Sequence, residues 1–268
     1  MGALDGRVIL ITGAARGQGE QEARLFVAEG GRVVLGDVLD EQGQALAGEL
    51  GEERAVYVHL DVSQEEQWLS AVDTATGAFG ALDGLVNNAG ILRFNELAST
   101  PLAEFQQVVQ VNQVGAFLGM RTVVPALAAA GGGTIINTAS VAALSGMALL
   151  TSYAATKAAI VGMTRVAALE LAAKRIRVNA ICPGAIDTPM TNPAQLDPNA
   201  HASAAGRESV GEAAAPDEMY RRLVPIGRIG RPQEVAKLAL FLTSEDSSYI
   251  TGQPFVIDGG WLAGVSVF

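Results

Sequence analysis

Short apolar runs alternate with longer amphipathic stretches along this chain. The runs are apolar at almost every inner position, which is typical of parallel strands that are covered on both faces. Such alternation predicts an α/β fold, a doubly wound sheet of about seven parallel strands with helices on both faces. The predicted strands are Val8–Thr12, Arg32–Asp37, Ala55–His59, Gly84–Asn87, Gly133–Thr138, Arg177–Ile181 and Phe255–Ile257. The predicted helices are Gln18–Glu29, Asp40–Leu50, Gln64–Phe79, Pro101–Ala130, Ser152–Ala172 and Gln233–Thr243.

No linker, repeat or change of composition divides the chain, so we expect a single domain over residues 1–268. One segment, from Pro189 to about Arg222, departs from the alternation. It contains four prolines and a middle rich in Gly, Ser and Ala. Long loops in compact domains usually carry function, which predicts a substrate lid at about 189–222. The alternative is an insertion without a role.

The composition narrows the class of protein. With 49% hydrophobic and 17% charged residues, the chain can form a large core and is too apolar for disorder. Its net charge of −10 disfavours nucleic acid or an anionic membrane as main partner, because both attract clustered lysine and arginine. No apolar run has the ~18 residues of a membrane span. One cysteine and two histidines provide neither an internal disulfide nor a His/Cys metal site. We therefore expect a metal-free, cytoplasmic enzyme.

A glycine-rich turn follows the first predicted strand and precedes a helix, in the order Gly13, Arg16, Gly17, Gln18 and Gly19. Glycine permits a sharp turn and a close approach to phosphate, and the helix N-terminus offers free N–H groups to a pyrophosphate. This pattern predicts the dinucleotide site of a Rossmann fold.

An acidic residue, Asp37, ends the second predicted strand. Its carboxylate can accept hydrogen bonds from ribose hydroxyls and would repel a 2′-phosphate, so the predicted cofactor is NAD. The nearby cation Arg16 could soften that preference. Asp61 and Val62 end the third strand, where an adenine ring would rest, although a capping role for Asp61 is an alternative.

Tyr153 and Lys157 lie four positions apart in a helical stretch, and therefore on one helix face. An ammonium beside a phenol favours the phenolate and lowers the tyrosine pKa toward working pH, which suits a general acid or base. Ser140 lies just beyond the fifth strand, at the carboxyl edge of the sheet, where doubly wound folds bind ligands. It could donate a hydrogen bond to a substrate carbonyl.

Taken in order, these motifs resemble a classical short-chain dehydrogenase/reductase over nearly the whole chain, most closely the bacterial 3α/20β-hydroxysteroid dehydrogenases. The resemblance implies that Tyr153 exchanges the proton, Ser140 polarises the substrate oxygen and Lys157 holds the nicotinamide ribose. It implies that Asn112, within a helical stretch that it kinks, holds a water next to Lys157. It also adds a cofactor-binding set from two further strand ends, namely Asn88, Ala89, Gly90, Pro183, Gly184, Ile186 and Thr188.

Apolar residues are expected to line the substrate pocket, which favours a hydrophobic secondary alcohol or ketone. They are Leu92, Val141, Ala142, Leu144, Met147, Leu149, Leu150 and Met190. A 3-oxoacyl-carrier-protein reductase is the alternative, with Arg165, Lys174, Arg175 and Arg177 as a possible docking patch for an acidic carrier. A non-catalytic NAD-binding scaffold is a third reading, because fold alone does not exclude it.

Helices Pro101–Ala130 and Ser152–Ala172 carry more apolar positions than one core-facing stripe needs. The resemblance implies a homotetramer built on these two helices and on the C-terminal segment. We expect the apolar tail Trp261–Phe268 to pack across a subunit interface.

Overall fold

The computed structural model describes residues 2–192, 220 and 223–264. Seven parallel strands form one sheet in the order β3-β2-β1-β4-β5-β6-β7, so the predicted doubly wound fold is confirmed. The strands are β1 (Val8–Thr12), β2 (Arg32–Asp37), β3 (Ala55–His59), β4 (Gly84–Asn87), β5 (Gly133–Thr138), β6 (Ile176–Pro183) and β7 (Pro254–Ile257). The helices are α1 (Gly17–Ala28), α2 (Asp40–Leu50), α3 (Glu65–Phe79), α4 (Leu102–Val108), α5 (Gly115–Ala129), α6 (Thr151–Leu171) and α7 (Pro232–Thr243).

The strand order reverses between β1 and β4, which pair in parallel with Leu10 opposite Leu85. From β1 the chain proceeds outward through β2 and β3, and then returns to build β4 to β7 on the other side. Neighbouring loops diverge at such a switch point and leave a crevice at the carboxyl edge of the sheet. All five residues of β1 are buried, as expected of a central strand.

Two apolar cores cover the two faces of the sheet. On one face Trp68 of α3 and Leu127 of α5 pack with Leu10 and Leu85 of the central strands. On the other, Phe26 of α1 and Val235 of α7 are among the residues packed with Ile9 and Ile11. Alternate residues of β1 therefore serve opposite cores, which explains why its sequence is continuously apolar.

The predicted helix Pro101–Ala130 is interrupted. Between α4 and α5, the residues Val109–Val114 form a π-helical turn. The N–H of Gly115 accordingly bonds to the carbonyl of Gln110, five residues earlier. Such turns widen a helix locally and often occur at functional sites. Asn112, at which the resemblance implies a kink in the helix, lies within this turn.

The other predicted elements agree with the structure to within one or two residues at most ends. The C-terminal part of β6 is longer than expected and continues to Pro183. The predicted lid lies largely outside the described residues. None of the described helices is both long and apolar enough to cross a lipid bilayer.

Candidate active site

A cavity of about 620 Å³ runs along the carboxyl edge of the sheet, at the switch point. It extends from Asp37 and Asp61, past the glycine turn, to Ser140 and Tyr153. Every residue of the predicted cofactor-binding set lines the cavity except Gly19. Gly19 packs within the turn, against the carbonyl of Gly13 and the side chain of Asn88. The structure thus brings together residues that lie up to 175 positions apart, from Gly13 to Thr188.

The glycine turn is built for close approach of the backbone. Gly13 and Gly17 have φ of +63° and +65°, in the left-handed region where side chains are strained. A Cβ on Gly13 would lie 2.9 Å from the Cα of Ala89, and one on Gly19 would overlap the carbonyl oxygen of Gly13. α1 begins at Gly17, so its free N–H groups face the cavity. This cradle fits the pyrophosphate of a dinucleotide.

Thr12 and Asn88 join the glycine turn to the end of β4. The Oγ1 of Thr12 accepts the N–H groups of Asn88 and Ala89 at 3.1 and 3.0 Å. In return, Nδ2 of Asn88 donates to the carbonyls of Thr12 and Gly13. The sequence analysis missed this role of Thr12, because the contact joins residues 76 positions apart.

The Asp37 carboxylate lies at the far end of the cavity and is almost buried. Its Oδ2 accepts the N–H of Ala15 at 2.9 Å, and its Oδ1 accepts that of Leu39 at 3.1 Å. Each carboxylate oxygen has two lone pairs, so both oxygens keep room for a ribose hydroxyl. The hydroxyl of Tyr57 donates to the Asp37 carbonyl at 2.6 Å, and this bond holds the end of β2 in place.

Asp61 has contacts typical of a capping residue. Its Oδ1 accepts both the N–H and the hydroxyl of Ser63, and its own N–H donates to Gln67. These bonds hold the turn that leads into α3. Asp61 and Val62 both line the cavity, so the capping role of Asp61 is compatible with the predicted adenine site, which stays a prediction.

Ser140, Tyr153 and Lys157 meet where β5 ends and α6 begins. Lys157 lies over the Tyr153 ring, with Nζ 5.5 Å from the ring centroid. The same Nζ donates to the carbonyl of Thr138 at 2.6 Å, which ties α6 to β5. Ser140 accepts the N–H of Ala142 and is hydrogen-bonded with Tyr153. Two hydroxyls and one amine therefore converge on the cavity.

The expected lowering of the Tyr153 pKa by Lys157 is not found in the protein alone. Burial raises the pKa of Tyr153 to about 12, and the hydrogen bond with Ser140 offsets only part of this rise. Burial also lowers the pKa of Lys157 to about 8. Desolvation disfavours the charged forms of both residues at once, and it is the largest cause of both pKa shifts.

Asn112 uses its amide to fix the backbone beside this group. Its Oδ1 accepts the N–H of Ile91 at 2.8 Å, and its Nδ2 donates to the Ile91 carbonyl at 2.9 Å. Nδ2 also approaches the hydroxyl of Thr156, which in turn donates to the Tyr153 carbonyl at 2.8 Å. The side chain thus connects the π-helical turn to the loop after β4 and to α6.

The end of β6 forms the opposite wall. Gly184 lies so close to Asp258 that an added Cβ would be 2.8 Å from the Asp258 Cβ. The loop then passes Ile186 and Thr188, and the N–H of Thr188 donates to the hydroxyl of Thr191. Among the described residues, no group of His, Cys, Asp and Glu is arranged to hold a metal ion.

The substrate half of the cavity differs in part from the prediction. Leu92, Val141, Met147, Leu150 and Met190 line it, as expected. Ala142, Leu144 and Leu149 do not line it; the Leu144 side chain is exposed to solvent, and the carbonyl of Leu149 accepts the N–H of Asn95. The prediction missed further lining residues, which are Ile91, Phe94, Val111, Tyr220, Leu223 and Trp261.

Trp261, the first residue of the predicted tail, lines the cavity, and residues 265–268 lie outside the described part of the chain. The packing of the tail across a subunit interface stays a prediction. Charge is unevenly distributed over the described lining. Arg16, Asp37 and Asp61 border the cofactor half, and Lys157 lies beside Tyr153, whereas the substrate half is lined by apolar and aromatic side chains.

Comparison with known proteins agrees with this geometry. The family model described as "Enoyl-(Acyl carrier protein) reductase" matches residues 13–262. A 3-alpha-(or 20-beta)-hydroxysteroid dehydrogenase of Mycobacterium tuberculosis is 44% identical over 265 residues, covering 99% of this chain and 93% of the relative. A trans-4-hydroxycyclohexanecarboxylate dehydrogenase of Sinomonas cyclohexanicum is 39% identical, covering 96% of this chain and 93% of the relative.

A 3-oxoacyl-[acyl-carrier-protein] reductase FabG of Thermotoga maritima is 40% identical, over 96% of this chain and 98% of the relative. Among solved structures, a short-chain type dehydrogenase/reductase from Mycobacterium marinum superposes with a TM-score of 0.85 at 34% identity. That match covers 97% of each chain. Matches of this length and identity, together with the fold and the cavity, show that the chain belongs to the short-chain dehydrogenase/reductase family.

Proposed function

We propose that the protein is an NAD(H)-dependent oxidoreductase that interconverts a neutral, cyclic secondary alcohol and its ketone, with hydroxysteroids as leading candidates. The observation that carries the proposal is the convergence of Ser140, Tyr153 and Lys157 on one cavity with an apolar substrate half. The names of two relatives, a hydroxysteroid dehydrogenase and a trans-4-hydroxycyclohexanecarboxylate dehydrogenase, support a ring-containing substrate.

Ser140, Tyr153 and Lys157 each have a separate role in the proposed reaction. When bound, the nicotinamide gives or accepts the hydride. Ser140 and Tyr153 meet the negative charge that grows on the substrate oxygen, and Tyr153 delivers the proton during reduction and takes it during oxidation. Lys157 holds the nicotinamide ribose, and the hydrogen bond from Ser140 partly offsets the rise that burial causes in the pKa of Tyr153.

The preference for NAD rests on Asp37. Its carboxylate is positioned to accept the ribose hydroxyls, and a 2′-phosphate at this point would face a buried negative charge. The neighbouring Val38 and Leu39, which also line the cavity, offer no compensating cation. We expect Arg16 to bind the pyrophosphate side of the turn rather than to neutralise Asp37.

A carrier-protein reductase remains the second candidate because of the similarity to the Thermotoga maritima protein. Three of the four cations of the suggested docking patch, Arg165, Lys174 and Arg175, are exposed, so the structure weakens this candidate only at Arg177. The guanidinium of Arg177 is half-buried and donates to the carbonyls of Ile250 and Ser244, so it is engaged within the fold. The net charge of −10 further disfavours an acidic carrier as partner.

The test compares initial rates with NADH and NADPH on a steroid ketone, cyclohexanone and a 3-oxoacyl thioester. We expect turnover of the cyclic ketones with NADH, and a fall in kcat of at least ~100-fold for Tyr153→Phe, the low end of general acid–base contributions. Tyr249→Phe, at a fully exposed tyrosine, is the matched control. Tight NADH binding without turnover of any ketone would favour a scaffold, and near-normal turnover of Tyr153→Phe would exclude this mechanism.

For the assembly we propose a homotetramer. Phe117 of α5 and Val166 and Leu169 of α6 are exposed and apolar on the two helices predicted to form subunit contacts. Phe241 of α7 and Val256 of β7 form a second exposed apolar group. Light scattering at micromolar concentration should give four times the chain mass, and a stable monomer would contradict the proposal.

A further inference from the structure

The chain segment after β7 forms a turn that is held by one carboxylate. Oδ1 of Asp258 accepts the N–H of Gly260, and its Oδ2 accepts the N–H of Leu262, both at 2.8 Å. The N–H of Trp261, between them, approaches the Asp258 carbonyl at 3.4 Å. Three successive N–H groups thus point to one residue, which fixes the backbone from which the Trp261 side chain projects.

The same turn packs against the chain that leads to α7. The carbonyl of Gly259 accepts the N–H of Ile226 at 3.1 Å. Gly259 has a φ of +64°, and a Cβ there would lie 2.5 Å from Val224. On its other side the turn touches β6, where Asp258 packs against Gly184 at the nicotinamide wall. Asp258 therefore links the cofactor wall to the position of Trp261.

Trp261 has an aromatic partner among the residues that line the cavity. Its ring lies edge-on to that of Tyr220, with centroids 6.5 Å apart and planes at 66°. Both rings line the cavity, together with Leu223 of the same segment as Tyr220. Edge-to-face pairs hold their rings in defined orientations, so the pair offers a firm apolar surface.

We infer that Trp261 and Tyr220 form an aromatic wall that selects substrates by size, and that Asp258 is its positioning residue. The inference rests on the proposed function and adds to it a specificity-determining element. A multi-ring ketone whose oxygen meets Ser140 and Tyr153 buries more apolar surface against such a wall than a single five-membered ring does. The wall should therefore favour the large substrate over the small one.

The test uses the ratio of kcat/KM for a steroid ketone to kcat/KM for cyclopentanone. We expect Trp261→Ala and Asp258→Ala to lower this ratio at least tenfold. Trp261→Phe should recover it, and Asp258→Asn should recover it only in part, because its amide keeps one of the two acceptor oxygens. Leu69→Ala, at an exposed leucine of α3, is the control and should leave the ratio unchanged. An unchanged ratio, including one in which kcat/KM falls by the same factor for both ketones, would overturn the inference.

A second measurement does not depend on turnover. The chain has two tryptophans, and Trp68 is buried in the core with its indole N–H bonded to the Val62 carbonyl. In Trp68→Phe loaded with NAD⁺, emission therefore reports on Trp261, and we expect it to change saturably when the steroid ketone is added. Should Trp68→Phe fold poorly, the difference between wild type and Trp261→Phe gives the same signal. A saturable change without turnover would refute the catalytic proposal alone, whereas turnover of the steroid with unchanged emission would refute the wall.

Discussion

Replacing the buried Glu22 of α1 should stabilise the protein, and more so at high pH. Glu22 is fully buried in a helix that packs against α7, and neither carboxyl oxygen has a hydrogen-bond partner among the described residues. Burial raises its pKa from the ordinary 4.5 to about 8. In the native state the group is therefore protonated at neutral pH, whereas in the unfolded chain it is ionised.

The sign of the effect follows from this difference. Below pH 4.5 both states are protonated and Glu22 contributes no pH dependence. As the pH rises from 4.5 to 8, the unfolded state gains stability from ionisation that the native state does not share. Each pH unit between the unfolded and the native pKa corresponds to about 1.4 kcal/mol. Burial of Glu22 therefore lowers the free energy of unfolding by about 3 kcal/mol at pH 7 and by about 5 kcal/mol above pH 8.

Urea denaturation of wild type and Glu22→Gln at pH 5, 7 and 8.5 measures this cost. We expect the stability gained by the variant to grow by about 4 kcal/mol from pH 5 to 8.5. Glu66→Gln, at an exposed glutamate of α3, is the matched control and should show no such growth. If the free energies of unfolding of wild type and Glu22→Gln changed with pH in the same way, the reasoning would be refuted. Glu22→Met should show the same pH-dependent gain in stability, which checks that the gain does not come from a bond made by the new amide.

Three further predictions concern the site and its surroundings. Gly19→Ala should weaken NADH binding at least ~10-fold by calorimetry, because its Cβ would overlap the glycine turn, while Gly48→Ala, in open space on α2, should not. Asn112→Ala should lower the free energy of unfolding by about 3 kcal/mol, since three side-chain hydrogen bonds are lost, and should lower kcat. Burial raises the pKa of the Cys182 thiol to about 11, so a disulfide reagent at pH 8 should label it only after unfolding; rapid labelling of native protein would contradict this.

The strands and most helices were predictable from sequence because their patterns are local. β1 is apolar throughout since its alternate residues enter two cores, and this is visible in five consecutive letters. The glycine turn and the Tyr153–Lys157 pair were likewise visible, because strand-to-helix turns and the four-residue helical spacing are short-range features.

Features that depend on distant contacts were not predictable. The π-helical turn at Asn112 is accompanied by bonds to Ile91, 21 positions earlier, and the kink was expected there from the family resemblance and not from the local pattern. The pKa of Tyr153 was expected in the wrong direction because spacing reveals the neighbouring ammonium but not the extent of burial. Trp261 was not predicted to line the cavity, because an apolar tail does not disclose which surface it meets.

The two bonds that Asp37 receives from Ala15 and Leu39 have a consequence for protein engineering. The residue that would discriminate between the two dinucleotides also anchors the turn that would receive their phosphates. Selectivity and affinity are thereby coupled through one side chain. An attempt to change the cofactor by exchanging Asp37 alone would loosen the phosphate cradle for both dinucleotides. A successful redesign would need a replacement, such as asparagine, that still accepts the N–H of Ala15.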